Sequence, residues 1–248
     1  MNIIINGANG RMGRIVDAAI EQGGAHAVAA RIDWSFAAGD GLSALSEYDG
    51  PADVVIDFSN HAATPQVTEY CVEKGLPVVI ATTGQTEEEL GLIRDAAKRV
   101  PVFLSANMSL GVALLADLAK KAAAVFPQAE IEIIERHHDQ KLDVPSGTAL
   151  LLARRIQEAR PEATLLVGRH ENGKRTRNEI GIHSLRYGNE VGTHEIIIST
   201  GSETVTLKHE AEDRALFAQG ALAAAAFLRG RAPGLYDMRH IIGKENGT

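Results

Sequence analysis

Two adjacent imidazoles, His137 and His138, an amine at Lys141 and the run Pro145-Ser-Gly-Thr148 fall within a dozen positions of one another. Imidazoles and an amine can bind an anion or move a proton near neutral pH. A helix opening at Ser146 would also point the N–H groups of Gly147, Thr148 and Ala149 toward a carboxylate or phosphate. The flanks tell which elements hold the turn. Glu130-Ile-Glu-Ile-Ile-Glu135 alternates and predicts a strand, whereas Ala149 to Ile156 has helical spacing, so the cluster is expected on a strand-to-helix turn with Ser146 as N-cap. No metal is expected: neighbours on an extended chain face opposite ways, and no nearby Cys/His cluster completes a ligand set.

A second chemical signal opens the chain. Asn2 to Asn6 reads as a strand and leads into Gly7-Ala-Asn-Gly-Arg-Met-Gly13, after which Ile15, Val16, Ala19 and Ile20 recur at helical spacing. Strand, glycine-rich turn and helix form the first half of a dinucleotide-binding unit, here with the spacing G-x-x-G-x-x-G. Gly7 permits the tight turn, Gly10 backbone approach to a pyrophosphate, and Gly13 close packing of helix on sheet. The apolar run Ala27 to Ile32 ends at Asp33, the position expected to accept hydrogen bonds from the adenosine ribose.

Strands at Val54–Phe58, Val78–Ala81 and Val102–Ser105 alternate with helices near 64–74 and 87–99. They read as apolar throughout, the pattern of a parallel sheet covered on both faces. Ligands of such sheets bind beyond the carboxyl ends of the strands. Phe58-Ser-Asn60, Ala81-Thr82-Thr83-Gly84 and Ser105-Ala106-Asn107-Met108 are therefore expected at the cofactor rim.

Beyond Asn107 the pattern changes. A helix near 110–125 precedes the central strand, and β-rich stretches follow at Ile180–Tyr187, Thr193–Ser199 and Thr204–His209, with Gly188-Asn189 and Gly201-Ser202 expected as hairpin turns. The fold class is thus α/β, a Rossmann-like parallel-sheet domain, with a second α+β mixed-sheet domain. The domains are expected at 1–107, completed by about 214–248, and at 108–213.

The bulk numbers narrow the partners. A formal charge of -7 argues against a nucleic-acid partner, so any anion must be caught by a local site. The apolar segments at 110–126 and 221–228 are interrupted by charge or too short to span a bilayer, and the chain opens without a signal-peptide pattern. A cytoplasmic protein with no membrane partner is expected. The single cysteine, Cys71, reads as a small buried hydrophobe.

These residues fit a dehydrogenase or reductase of two-domain layout, or a non-catalytic dinucleotide sensor. The His/Lys cluster distinguishes them, since a sensor has no need of it. With the motifs assembled, the chain closely resembles the 4-hydroxy-tetrahydrodipicolinate reductase (dihydrodipicolinate reductase) family. The resemblance rests on Gly7–Gly13, Ala81–Gly84, Ser105–Gly111, Val191–Glu195, Gly234–Met238 and, most specifically, a stretch matching E-x-H-H-x-x-K-x-D-A-P-S-G-T.

It implies a homotetramer that passes hydride from NADH or NADPH to C4 of a small cyclic dicarboxylate with net loss of water, in the diaminopimelate route to lysine. By position, His137 and Lys141 would be the acid/base and proton-donor pair. His138, Ser146, Gly147 and Thr148 would bind substrate. Gly7, Ala8, Asn9, Gly10, Arg11, Met12, Asp33, Ala81, Thr82, Thr83, Ser105, Ala106, Asn107 and Met108 would line the nucleotide. Trp34 stands where some members carry an arginine suited to a 2′-phosphate, so the lean is toward NADH. Ala81 and Val144 replace a usual glycine and alanine.

Overall fold

Ile3, Ile4 and Ile5 are wholly buried in the first strand, β1 (Asn2–Asn6), and this fixes the character of the sheet around it. A β-branched residue hidden on both faces suits a strand covered from both sides, and each such side chain contributes about 1.5–3 kcal/mol on burial. The computed structural model describes residues 1–37 and 39–243 and separates into two units, Met1–Ser109 with the residues from Arg214, and Leu110–Asp213. The last five residues of the 214–248 segment lie outside the described residues.

The first unit continues with α1 (Arg11–Gly23), β2 (Ala27–Ile32), β3 (Val54–Asp57), α2 (Thr64–Lys74), β4 (Val78–Ile80), α3 (Glu87–Ala96) and β5 (Pro101–Leu104). Each helix carries its own start or stop. Val16 and Ile20 bury one face of α1, which ends at Gly24 in the left-handed conformation. A capping box between Thr86 and Glu89 opens α3, with three acidic residues in its first turn. Cys71 is buried on α2, and burial pushes its thiol up, as suits an inert packing residue.

The second unit contains α4 (Leu110–Val125), β6 (Glu130–His137), α5 (Gly147–Gln157), β7 (Thr164–Val167), β8 (Glu179–Arg186), β9 (Gly192–Ser199) and β10 (Thr204–Ala211). Its sheet runs β10-β9-β6-β8-β7, with β6 parallel to β8 and antiparallel to β9. Ile131, Ile133, Ile180, Ile182, Ile196 and Ile198 form its core together with Leu115 of α4 and Leu152 and Ile156 of α5. Arg160 is buried beside this core and donates to the Ala129 carbonyl at 2.6 Å.

Gly201-Ser202 joins the neighbours β9 and β10 as a hairpin. Gly188-Asn189 does not: β6 lies between β8 and β9, so the expected hairpin there is instead a crossing over the end of β6. The backbone of β6 is paired on both edges, and the crossing segment bonds the turn beyond it. Tyr187 N–H donates to the His137 carbonyl at 3.0 Å and His138 N–H to the Glu190 carbonyl at 2.8 Å.

The chain then returns to the first unit with α6 (Ala215–Leu228), β11 (Gly234–Tyr236) and α7 (Met238–Ile242). The first sheet is parallel in the order β11-β5-β4-β3-β1-β2, the Rossmann-like sheet expected, and the second is the expected mixed sheet. Its strands are not apolar throughout. Asn6 and Asp57 are paired in register at the carboxyl ends of β1 and β3, and both are buried. Among the described residues no helix is long and apolar enough to cross a membrane.

Candidate active site

In the first unit Gly7 has φ 82 and turns the chain from β1 toward α1. Gly10 is the N-cap of α1 and no side chain caps that end. A Cβ on Gly10 would lie 3.1 Å from the Gly7 carbonyl oxygen, and one on Gly13 would lie 2.1 Å from it. This cradle of backbone fits a pyrophosphate, because the helix end carries oriented N–H groups and partial positive charge.

Asp33 follows β2 and is buried. Its Oδ2 accepts the Asn9 N–H at 3.0 Å, and its Oδ1 accepts the Ser35 N–H and hydroxyl at 3.0 and 2.6 Å. Burial raises the Asp33 carboxyl, but these bonds lower it by more. A ribose hydroxyl would exchange with one of them. Arg11 is exposed, Arg14 donates to Asn9 Oδ1 at 2.6 Å, Ala8 is buried and Met12 half-buried.

At the other strand ends Ala81 and Thr82 are buried and Thr83 is exposed. Ser105 donates to the Asn107 carbonyl at 2.7 Å, Ala106 is exposed, and Met108 is buried with its carbonyl packed on Gly220, away from the expected rim. Beneath this rim sits a residue the sequence reading passed over. Asp57 accepts from Asn6 Nδ2 at 2.8 Å, Ser59 Oγ at 2.5 Å and Thr82 Oγ1 at 2.8 Å, tying three strand ends together. Burial keeps its carboxyl above the usual range.

In the second unit the alternation of β6 puts Ile131, Ile133, Glu135 and His137 on one buried face. Glu135 has no exposed surface. Its Oε2 meets His137 Nδ1 at 2.5 Å and its Oε1 accepts the Ser146 N–H at 3.2 Å, while Arg186 donates to both oxygens at 2.9 and 2.8 Å. Burial pushes the Glu135 carboxyl up, yet the bonds from His137 and Arg186 outweigh it and hold the carboxyl well below the usual range.

Ser146 caps α5 as expected, its Oγ accepting the Ala149 N–H at 3.2 Å and contacting His194 Nε2 at 3.1 Å. The His137 and His194 rings meet edge to face, centroids 5.2 Å apart. On the far side of His137 a Cβ at Gly192 would lie 2.9 Å from Nε2, so glycine there leaves room for the ring. Glu135, His137 and His194 could in principle gather round a cation. Against that, the Arg186 guanidinium already grips both Glu135 oxygens, and its charge opposes a dication there.

His138 is half-buried next to His137, and Lys141 pairs with Asp143 at 2.8 Å. The helix opening differs from expectation in one respect. The Ala149 N–H is taken by Ser146, and the Asp143 carboxylate, paired with Lys141, lies near enough to the Gly147 amide to be lowered by it. Desolvation raises the Asp143 carboxyl, and Lys141 with the Gly147 amide lowers it by more. The turn thus already holds one carboxylate between an amine and a helix end.

His194 is pushed down to about 3, first by burial and then by His137. From its ordinary value of 6.5 down to about 3, the unfolded chain binds a proton that the folded chain refuses, so stability falls as the pH drops through that window. Glu135 acts lower: its contribution is complete above the ordinary glutamate value, roughly 4.3, and is lost as the pH falls toward its depressed folded value. We expect the thermal midpoint to fall from about pH 6.5 downward and more steeply below about pH 4.5. His194→Asn should flatten the upper limb, and an unchanged slope between about pH 6.5 and 5 would contradict the assignment.

A parallel sheet with an open glycine turn, joined in sequence to a mixed-sheet unit bearing a His/Lys cluster beside a helix end, is the layout of a two-unit nucleotide-dependent oxidoreductase. The family models for dihydrodipicolinate reductase match almost the whole chain, the N-terminal one over residues 1–108 and the C-terminal one over 111–242. The 4-hydroxy-tetrahydrodipicolinate reductase of Caldanaerobacter subterraneus is 44% identical, covering 98% of this chain and 99% of its own. That of Clostridium tetani is 42% identical, covering 96% and 95%. The dipicolinate-bound dihydrodipicolinate reductase of Paenisporosarcina superposes with a TM-score of 0.78 at 27% identity, over 98% of this chain and 99% of that one. The chain belongs to the dihydrodipicolinate reductase family and is an NAD(P)H-dependent oxidoreductase.

Proposed function

We propose that this protein reduces 4-hydroxy-tetrahydrodipicolinate to tetrahydrodipicolinate in diaminopimelate and lysine biosynthesis, as a cytoplasmic homotetramer. The observation that carries the reading is the turn after β6, where Lys141 and the opening of α5 already share one carboxylate, that of Asp143. Groups that hold an internal carboxylate this way suit a cyclic dicarboxylate substrate. His138, Gly147 and Thr148 bind the substrate's carboxylates and orient its ring, while Ser146, buried with its N–H on Glu135 and its Oγ on the Ala149 N–H, holds the helix end on which they sit and does not itself reach the substrate.

When bound, a reduced nicotinamide supplies a hydride, which goes to ring C4 after water has left. The neighbouring carbon gains a proton from Lys141, and His137 is the acid/base partner. The nucleotide is held by Gly7 to Met12 with Asp33, Ala81 to Thr83 and Ser105 to Asn107. NADH is preferred: exposed Trp34 follows Asp33 in place of a phosphate-pairing arginine, and Arg14 is engaged by Asn9.

The test gives purified protein pyruvate, aspartate semialdehyde and the synthase that condenses them. Oxidation of the nucleotide should depend on the synthase and run faster with NADH than with NADPH. Nucleotide binding without oxidation would leave a sensor, and a strong NADPH preference would overturn the cofactor assignment.

A further inference from the structure

Glu135 is the one wholly buried charged side chain at the turn, and it touches both halves of the site. One oxygen faces His137 Nδ1 at 2.5 Å; the other accepts the N–H of Ser146, the residue that caps α5. Arg186 grips both oxygens and also donates to the Asp143 carbonyl at 2.7 Å, so the carboxylate is clamped rather than free to turn. Cross-strand neighbours fix it further: Glu135 stands opposite His194 on β9, and His137 opposite Arg186 on β8.

A carboxylate can only accept hydrogen bonds here, so the imidazole nitrogen it faces must carry the proton. The other nitrogen, Nε2, faces Gly192, which has no side chain to cover it. We propose that Glu135 is a positioning residue that holds the proton on Nδ1 of His137, presents Nε2 to the substrate, and keeps the opening of α5 in register with that imidazole. Arg186 keeps the Glu135 carboxylate in place. The inference rests on His137 acting on the substrate, but its geometric half stands without that reading.

The experiment uses protein labelled with ¹⁵N-histidine, with His137 assigned through His137→Gln, and reads the tautomer by ¹⁵N–¹H correlation above the ordinary imidazole range. His137 should carry its proton on Nδ1; a lone proton on Nε2 overturns the proposal even if every variant misfolds. In Glu135→Gln, where the amide can turn either its oxygen or its N–H to the ring, the Nδ1 preference should weaken, and kcat should fall about 10–100-fold while the KM for NADH stays within about twofold. In the His137→Gln background the same substitution should cost less than about twofold more, because the two act as a unit. An equal cost in both backgrounds means that Glu135 supports only the fold, and refutes the positioning role. If the Nδ1 proton is found and responds to Glu135→Gln but the synthase-dependent reduction fails, the geometric half stands and the substrate assignment falls.

Discussion

Replacing Lys141 by alanine should lower turnover about 10²–10⁴-fold, the usual cost of losing a general acid, while NADH affinity stays within about twofold. The expectation follows from where the amine sits. Lys141 is on the turn of the second unit, whereas the glycines proposed to hold the nucleotide belong to the first. Its ion pair with Asp143 is partly exposed on both sides, 23% and 56%, so its loss should cost only about 0–1 kcal/mol of stability. Activity and folding are therefore separable at this residue. Turnover near wild type with normal folding would remove Lys141 from the mechanism, and lost NADH binding would mean that the variant disturbs more than the proton donor.

The second large effect is expected at Gly13. A Cβ there would lie 2.1 Å from the Gly7 carbonyl oxygen and 2.7 Å from the Ala8 Cα. Both contacts are backbone, and backbone pinned between β1 and α1 cannot swing aside as a side chain can. Gly13→Ala must push the helix end off the glycine turn, and overpacking of this kind costs about 1–3 kcal/mol or more. In a chain of this size, ~3 kcal/mol corresponds to roughly 6–12 °C in the thermal midpoint. NADH binding, followed by nucleotide fluorescence, should be lost at concentrations that saturate the wild type. Retained binding with an unchanged midpoint would show that the cradle is looser than its distances imply.

Much of this architecture was legible because local signals agreed. Isoleucine and valine runs marked β1, β3 and β4, Val-Phe-Leu marked β5, the glycines marked the first turn, and Ser146 marked the start of α5. What escaped lacked such a signal. β7 has four residues at a sheet edge with none fully buried, and β11 has three. The strand order that places β6 between β8 and β9 depends on long-range pairing, so a glycine-asparagine pair that resembles a hairpin turn gave the wrong connection.

The site divides in the same way. His137, Lys141 and Ser146 stand close together in the chain, but Arg186 and His194 reach the cluster only through sheet pairing. Glu135 could have been found, since a residue two positions before His137 on a strand must share its face. Asp57 lay in a run read as wholly apolar, although a carboxylate closing such a run needs partners if it is buried. The approach of Asp143 to the Gly147 amide depends on the path of the 139–145 turn, which no local pattern encodes.

The most direct measurement follows label rather than rate. With NADH deuterated at the transferable position and substrate generated by the condensing synthase, the product should carry deuterium at ring C4. In deuterated water with ordinary NADH, label should enter at the neighbouring carbon instead. Deuterium appearing at C4 from the nucleotide and beside it from solvent is what a reductase built on Lys141 and the β6–α5 turn predicts. Nucleotide oxidation that leaves the ring unlabelled, or proceeds equally without the synthase, would contradict it.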